Sequence, residues 1–437
     1  MCPPPKLTWL LVLLLAVGTC YYYFGLLIPQ SHRESRAHEM GIRYSYGGDF
    51  YPIWLTGREL LAHRVDPYTP EMTREIQIGL YGRTMDANRP MDFPVDYRQF
   101  SYPLYSDLLA APLLPFSFEQ VRIVLTFLLA PLTAASVLLW LRAFRIELPG
   151  SWIANAIVLT LISYPVLEGL YALQAGLLVA AVIAASIYAL TRARFMLSGV
   201  LLAIATGKPQ MVWLLAVFLL VWSVSDWKRR GRLAISFLLT LAVLMMTSLA
   251  ILPGWLQGWW RALVHYSGYT IPPLPQLVLG RWLGSAVMFG ILGLCGAACW
   301  KVRRQSADSP SFSLAVSLVL AVTVLLLPTG GAVYDQVVLL PAIFWLWSRR
   351  GEILAGRLSG RVLAWAAMVA IAWQWITACG VALMSFLLPA WAHRPAALVF
   401  PARMAAPTPF GLVALLSIFA IGLLRGKMVA RASGLSR

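Results

Sequence analysis

Residues 192–232 read RARFMLSGVLLAIATGKPQMVWLLAVFLLVWSVSDWKRRGR. Two apolar runs, Phe195 to Thr206 and Pro209 to Asp226, are fenced by Arg192 and Arg194 on one side and Lys228 to Arg232 on the other, with Lys208 between them. Basic residues gather on the cytoplasmic face of a membrane helix, so both fenced ends belong on one side of a bilayer and the Lys208 turn on the other. The first run makes only about 18 Å of helix against roughly 30 Å of hydrocarbon. A helix that short stops near a cavity or re-enters, because unpaired backbone at membrane depth survives only where protein or water meets it.

The same pattern extends in both directions. The 437 residues are 59% hydrophobic and 12% charged, against about 25% charged in a typical soluble protein. Apolar runs lie near 7 to 28, 118 to 141, 151 to 167, 172 to 190, 195 to 206, 209 to 226, 233 to 252, 276 to 300, 311 to 328, 334 to 348, 361 to 386 and 408 to 424. The sequence therefore predicts an all-α, polytopic membrane bundle of about twelve transmembrane helices, forming one membrane-embedded domain over residues 1–437. Tyr334 to Ser348, at about 22 Å of helix, is a second short element. Basic patches at Lys6, Arg142 and Arg145, Arg192 and Arg194, Lys228 to Arg232, Lys301 to Arg304, Arg349 to Arg361 and Arg425 to Arg437 fall at alternate turns. All of them placed inside put both termini in the cytoplasm of a multi-pass plasma (inner) membrane protein. The net charge of +17 is then topology, and with no basic surface interleaved with stacking aromatics, nucleic acid is excluded as a partner.

Lys6 followed by Leu7 to Ala16 has the look of a signal peptide, but the apolar run continues through Tyr21 to Phe24 to Ile28. It reads as a retained first helix with an aromatic belt at the outer interface. Cys2, Cys20, Cys295, Cys299 and Cys379 offer no disulfide framework and no zinc spacing. Cys295 and Cys299 share a helix face and read as small packing residues. His32, His38, His63, His265 and His393 show no metal-ligand spacing, and the sequence leaves any divalent metal and any cofactor undetermined.

The longest polar stretch, 29–117, lies outside if the basic turns lie inside. It holds eleven of the eighteen acidic residues: Glu34, Glu39, Asp49, Glu59, Asp66, Glu71, Glu75, Asp86, Asp92, Asp96 and Asp107. Within it Tyr51 to His63 carries Trp54, Leu55, Leu60 and Leu61 at helical spacing, an amphipathic helix suited to the membrane surface. Loops of this size without low complexity usually carry function.

Ionisable groups at membrane depth mark function by default. Lys208 is either an anchor for an anionic group such as a lipid phosphate or a side chain snorkelling to the interface. Asp335, after Thr329-Gly330-Gly331-Ala332-Val333-Tyr334, is either a site carboxylate or a helix cap at the positive end of the dipole. Glu168 and Gln174 flank the turn between the third and fourth helices and either line the outer cavity or face water. Arg261 and His265, spaced i, i+4 behind Trp255, Trp259 and Trp260, suit an interfacial helix. Asp49 follows Gly47-Gly48, which lets backbone approach closely, and is either a general base or the N-cap of the helix from Tyr51.

Asp49-Phe50, Trp54, Gly57-Arg58-Glu59-Leu60-Leu61, Asp66-Pro67-Tyr68, Tyr102-Pro103, Ala111-Pro112, Gln174, Lys208-Pro209, Tyr334-Asp335 and Leu339-Leu340-Pro341 occur in this order. The set resembles GT-C-type glycosyltransferases, specifically the polyprenyl-phosphate-mannose-dependent α-mannosyltransferases with their phosphatidylinositol-mannoside and arabinan-synthesising relatives. Two features depart from that family: where it often shows Gly-Gln-x-Asn this chain reads Leu173-Gln174-Ala175-Gly176-Leu177 and lacks the Asn, and Leu104 stands where a second Pro is common. The resemblance implies an inverting transfer of mannose or a related sugar from a polyprenyl-phosphate donor to a hydroxyl of a lipid or glycan acceptor, on the extracytoplasmic face among membrane lipids. It implies Asp49 as catalytic base and Arg58, Asp66, Tyr68, Tyr102, Gln174, Lys208, Arg261, His265 and Asp335 as substrate-binding candidates. The alternative class, a transporter or flippase of lipid-linked substrates, calls for structural repeats and midplane charges on several helices, neither of which the sequence displays clearly.

Overall fold

The computed structural model describes residues 5–39, 41, 46–86, 88–89, 92, 97–328, 333–356, 358–392 and 394–426. Cys2, Asp96, Thr329 to Ala332, His393 and the stretch from Lys427 onward lie outside them. The described residues form helices joined by short turns, with no β-strand among them.

The first helix runs longer than its apolar pattern. α1 (Pro5–Cys20) passes through a π-helical stretch, Tyr21–Leu27, into α2 (Ile28–Ala37). Tyr22 and Tyr23 are fully buried. Tyr22 Oη donates to the Leu398 carbonyl and Tyr23 Oη to Glu168 at 2.9 Å. These two tyrosines therefore pack inside the protein and do not form the expected interfacial belt, because each hydroxyl finds a protein acceptor that a lipid tail cannot supply. Glu168, expected to line a cavity or to face water, accepts from Tyr23.

Within the long polar stretch, α3 (Tyr51–His63), α4 (Pro70–Tyr81) and α5 (Tyr105–Leu109) follow. The first of these has the bounds the periodicity predicts. α4 starts where Thr69 accepts from the Met72 amide and Pro70 fills a position whose N–H needs no partner. Then come α6 (Phe118–Ala143), opened by a reciprocal Ser117–Gln120 capping box, and α7 (Gly150–Leu161) with α8 (Tyr164–Tyr171). The single helix expected over 151 to 167 is broken: α7 and α8 meet at 58°. Pro165 lies in the first turn of α8 behind Ser163, and a proline lacking an N–H cannot continue the preceding ladder.

The remaining elements are α9 (Ala175–Thr191), α10 (Phe195–Ala205), α11 (Trp213–Val224), α12 (Trp227–Ile251), α13 (Trp255–Tyr269), α14 (Leu274–Leu279), α15 (Arg281–Val302), α16 (Pro310–Leu326), α17 (Leu340–Ser348), α18 (Arg350–Leu354), α19 (Leu358–Leu387), α20 (Pro389–Ala392), α21 (Pro395–Leu398), α22 (Phe400–Ala405) and α23 (Thr408–Leu424). The helix expected over 276 to 300 divides at Gly280, whose φ of 78° is open to glycine alone at little cost. Among the described residues six helices are long and apolar enough to cross a membrane, or seven with α7 and α8 taken as one bent span; α9, α10, α11 and α16 are shorter apolar helices. Length alone picks out six or seven of the expected spans and leaves the shorter apolar helices uncounted. The protein is a helical membrane bundle.

Three of the basic turns meet. Arg230 donates to the carbonyls of Arg303, Arg304 and Gln305, and Arg145 pairs with Asp308 at 2.9 Å. Gln174 precedes α9, Lys208 follows α10 and Asp335 follows α16, and the carbonyls of Thr206 and Gly207 next to Lys208 accept from Tyr105 and Ser106.

Candidate active site

The turn that carries Asp49 is docked onto the end of α8. The Gly47 amide donates to Tyr171 O at 2.8 Å and the Asp49 amide to Ala172 O at 3.1 Å. Gly47 has φ +81°, a conformation that favours glycine, and a Cβ there would sit tightly against Leu173 and Arg122 at 3.1–3.2 Å. The Phe50 and Tyr51 amides turn back to Gly47 O, and the N-cap position of α3 is Phe50, with no side-chain cap. Asp49 therefore does not cap the helix. Its carboxylate points away, one oxygen bound by Arg98 and the other accepting from Gln174 Nε2 at 2.7 Å.

Gln174 caps α9 and passes the contact on. It is 1% exposed, its Oε1 accepts from the Gly176 amide at 3.4 Å, and the same oxygen accepts from Lys208 Nζ at 3.3 Å. Lys208 sits at the break between α10 and a 3-10 turn at Pro209–Met211, where Ser106 binds the Gly207 carbonyl and Tyr105 the Thr206 carbonyl. Its ammonium pairs with Asp335 at 2.5 Å, both side chains being 3% exposed, and lies 4.7 Å from the Tyr334 ring centre. Lys208 is thus buried and paired, and does not snorkel. Asp335 is within a 3-10 turn, Tyr334–Leu339, whose N-cap position has no side-chain bond; its carboxylate answers Lys208 instead of the helix end. α9 approaches the pair so closely that a Cβ on Gly176 would lie 2.6 Å from Asp335 Oδ1 and 2.9 Å from Lys208 Nζ.

One continuous chain of polar contacts results, Arg98–Asp49–Gln174–Lys208–Asp335. Asp49, Gln174, Lys208 and Asp335 are brought together as the sequence suggested. Tyr102 stands nearby, its phenol raised by burial and then by the charges of Asp49 and Asp335. Tyr266 of α13 is raised likewise, by burial, then Asp335, then Asp49.

The other candidates stand outside this chain of contacts. Arg58 lies over the Trp54 ring. Asp66 accepts from the Tyr68 amide at 2.9 Å, and Tyr68 Oη donates to Tyr102 O at 2.8 Å, so both shape the loop. Arg261 is exposed and bonds Gln257 O of its own helix. His265 binds Gln99 at 2.7 Å and packs edge-on against Tyr97, which fixes the loop on either side of Arg98. Arg98 and Tyr266 are the two neighbours of Asp49 and Asp335 that sequence reading missed; each is a loop or surface-helix residue whose relevance is set by contacts distant in sequence. A trace of Arg98's role is its φ of 56°, a conformation that costs energy for a non-glycine residue and collects at functional sites.

An open cavity of 580 Å³ lined by His32, Arg36, Glu39, Tyr81 and Arg83, among others, lies next to this chain of contacts, since the Tyr81 hydroxyl accepts from Arg98 Nε at 3.1 Å. Among the described residues no group of three or more His, Cys, Asp or Glu side chains is placed to hold a metal ion.

The model of glycosyltransferase family 87 matches residues 100–328. No curated protein and no solved structure matches the chain.

Proposed function

Because this chain belongs to glycosyltransferase family 87, and so is an integral membrane glycosyltransferase, we propose that it moves a sugar, mannose or a related unit, from a polyprenyl-phosphate donor to a hydroxyl of a lipid or glycan acceptor on the extracytoplasmic face. A sugar on a lipid phosphate already carries its leaving group. The protein then needs a base, a cation and a site that excludes water.

The observation that carries this reading is the Asp49 carboxylate. It is held clear of helix α3, is only 10% exposed, and is tied to the cation Arg98 and, through Gln174, to Lys208. In the reaction the acceptor oxygen forms its bond to the anomeric carbon while its proton passes to Asp49. The bond from that carbon to the phosphate oxygen breaks, its electron pair leaving with the polyprenyl phosphate. With a single carboxylate and no covalent intermediate the anomeric centre inverts. Lys208 and Asp335 neutralise one another and hold Gln174, so their part is to position Asp49. Tyr102, Tyr266 and the ring of Tyr334 supply aromatic surface against which a sugar or the first isoprene units pack.

Purified protein incubated with a panel of polyprenyl-phosphate sugars tests the reading: release of free polyprenyl phosphate, dependent on an added acceptor hydroxyl, is expected. Transfer from nucleotide sugars with every lipid-linked donor inert would refute it.

A further inference from the structure

Building on the proposed donor, we infer that Arg98 is the residue that meets the donor phosphate, and that it does so by giving up Asp49, so that donor binding releases the base. Two cations stand beside the site carboxylates, and their surroundings differ. Lys208 is 3% exposed and its charge is met by Asp335 at 2.5 Å, with Gln174 and the Tyr334 ring around it. A phosphate could reach it only by taking apart a buried ion pair, which is strongly unfavourable. The Arg98 side chain is 36% exposed, and a guanidinium carries five donors in a planar fork that suits phosphate oxygens.

Arg98 is also placed to turn without loss of its backbone position. Gln99 Nε2 donates to Ala262 O at 2.5 Å, Trp259 Nε1 donates to Ser101 O at 3.0 Å, Tyr97 packs on His265, and Phe100 is fully buried. The loop is therefore clamped to α13 before and after Arg98, while the half-exposed side chain is held by Asp49 and the Tyr81 hydroxyl.

The pairing has a consequence for Asp49. With Arg98 on one oxygen and Gln174 on the other, both oxygens accept hydrogen bonds, so neither is open to an acceptor hydroxyl. A phosphodiester that draws the guanidinium away frees one oxygen for the acceptor hydroxyl. As the anomeric bond breaks, the phosphate goes from one negative charge to two, and Arg98 holds it more strongly than it held the donor, which is the differential binding that lowers a barrier. The donor then binds before the acceptor is deprotonated.

Binding alone tests this, with a short-chain polyprenyl phosphate carrying no sugar titrated into detergent-solubilised protein. Asp49→Asn removes the competing carboxylate and is expected to bind the probe more tightly than wild type. Adding Arg98→Gln to Asp49→Asn is expected to weaken binding at least about tenfold, the scale of a charge-assisted contact, while Arg98→Lys in the same background retains part of the affinity. If Arg98 served only to position residue 49, Arg98→Gln in the Asp49→Asn protein would leave affinity for the probe unchanged; that result overturns the inference. Where Arg98→Gln fails to fold, unchanged affinity in the Arg98→Lys variant overturns it equally. Wild-type protein that does not bind polyprenyl phosphate overturns the donor reading, and this inference with it; wild-type binding with Arg98 indifferent overturns this inference alone.

Discussion

Replacing Lys208 or Asp335 singly should destabilise the protein with opposite dependence on pH. The pair is at 2.5 Å with both side chains 3% exposed. In Lys208→Met the orphaned Asp335 carboxyl avoids a buried charge by keeping its proton, while in the unfolded chain it ionises with its ordinary pKa of about 3.9. Each pH unit above that value then removes about 1.4 kcal/mol, so the deficit reaches about 4 kcal/mol at pH 7 and shrinks to about 1.5 kcal/mol at pH 5. In Asp335→Leu the orphaned Lys208 must shed its proton, against an ordinary pKa of about 10.4, so the deficit approaches about 4.6 kcal/mol at pH 7 and grows as pH falls. Gln174 and the Tyr334 ring still face the ammonium, which makes the second figure an upper bound. Lys208→Met with Asp335→Leu leaves no buried charge and should cost far less than the two single deficits added together. The assay is unfolding in a detergent-denaturant series between pH 5 and 8, with wild type run in parallel. Additive costs that do not vary with pH would refute the ion pair as the source.

Asp49→Asn should fold and lower the transfer rate by about 10² to 10⁴, the usual worth of a general base, because the carboxylate caps no helix and its loss touches only Arg98 and Gln174; near wild-type turnover would place the base elsewhere. Gly176→Ala should cost about 1 to 3 kcal/mol of stability by driving a methyl into the Lys208–Asp335 pair, whereas Gly293→Ala, which meets nothing within 4 Å, should be silent in the same unfolding assay. Asp107 is buried with one carboxylate oxygen lacking a hydrogen-bond partner, and burial raises its pKa well above the ordinary carboxylate value against the opposing bond from Thr56. The folded protein thus keeps this proton where the unfolded chain loses it, and stability falls as pH rises from the ordinary range toward the raised value. Asp107→Asn should flatten that slope in a pH series of unfolding midpoints.

What the sequence displayed and what it hid follow from the range of the interactions involved. Apolar runs are local, so the helices could be read directly, as could the helix from Tyr51 to His63 within the long polar stretch. The breaks at Pro165 and Gly280 lie inside apolar runs, where hydropathy is blind to backbone conformation. Asp335 fits a cap by local sequence, yet its partner is 127 residues away, and in a dry interior a cation outweighs the end of a short 3-10 turn. Lys208 stood out because charge among apolar residues is conspicuous; Arg98 did not, because it sits in a polar loop, 49 residues from Asp49. Nothing in the spacing of Tyr266 sets it apart from the other aromatics of α13 that face the loop.

Charge balance connects these residues to the proposed reaction. Asp49, Arg98, Lys208 and Asp335 sum to zero, which is what a low-dielectric site tolerates best. A donor phosphodiester adds one negative charge. During transfer the acceptor proton neutralises Asp49 as the departing phosphate gains its second negative charge, so the total stays at minus one while a charge moves from the carboxylate to the phosphate. A cation in contact with the first and accessible to the second follows that charge by rotating a side chain, with no charge created or stranded. Lys208, sealed against Asp335, cannot follow it; Arg98 can, and the clamp that α13 places on both sides of residue 98 keeps the backbone fixed while it does.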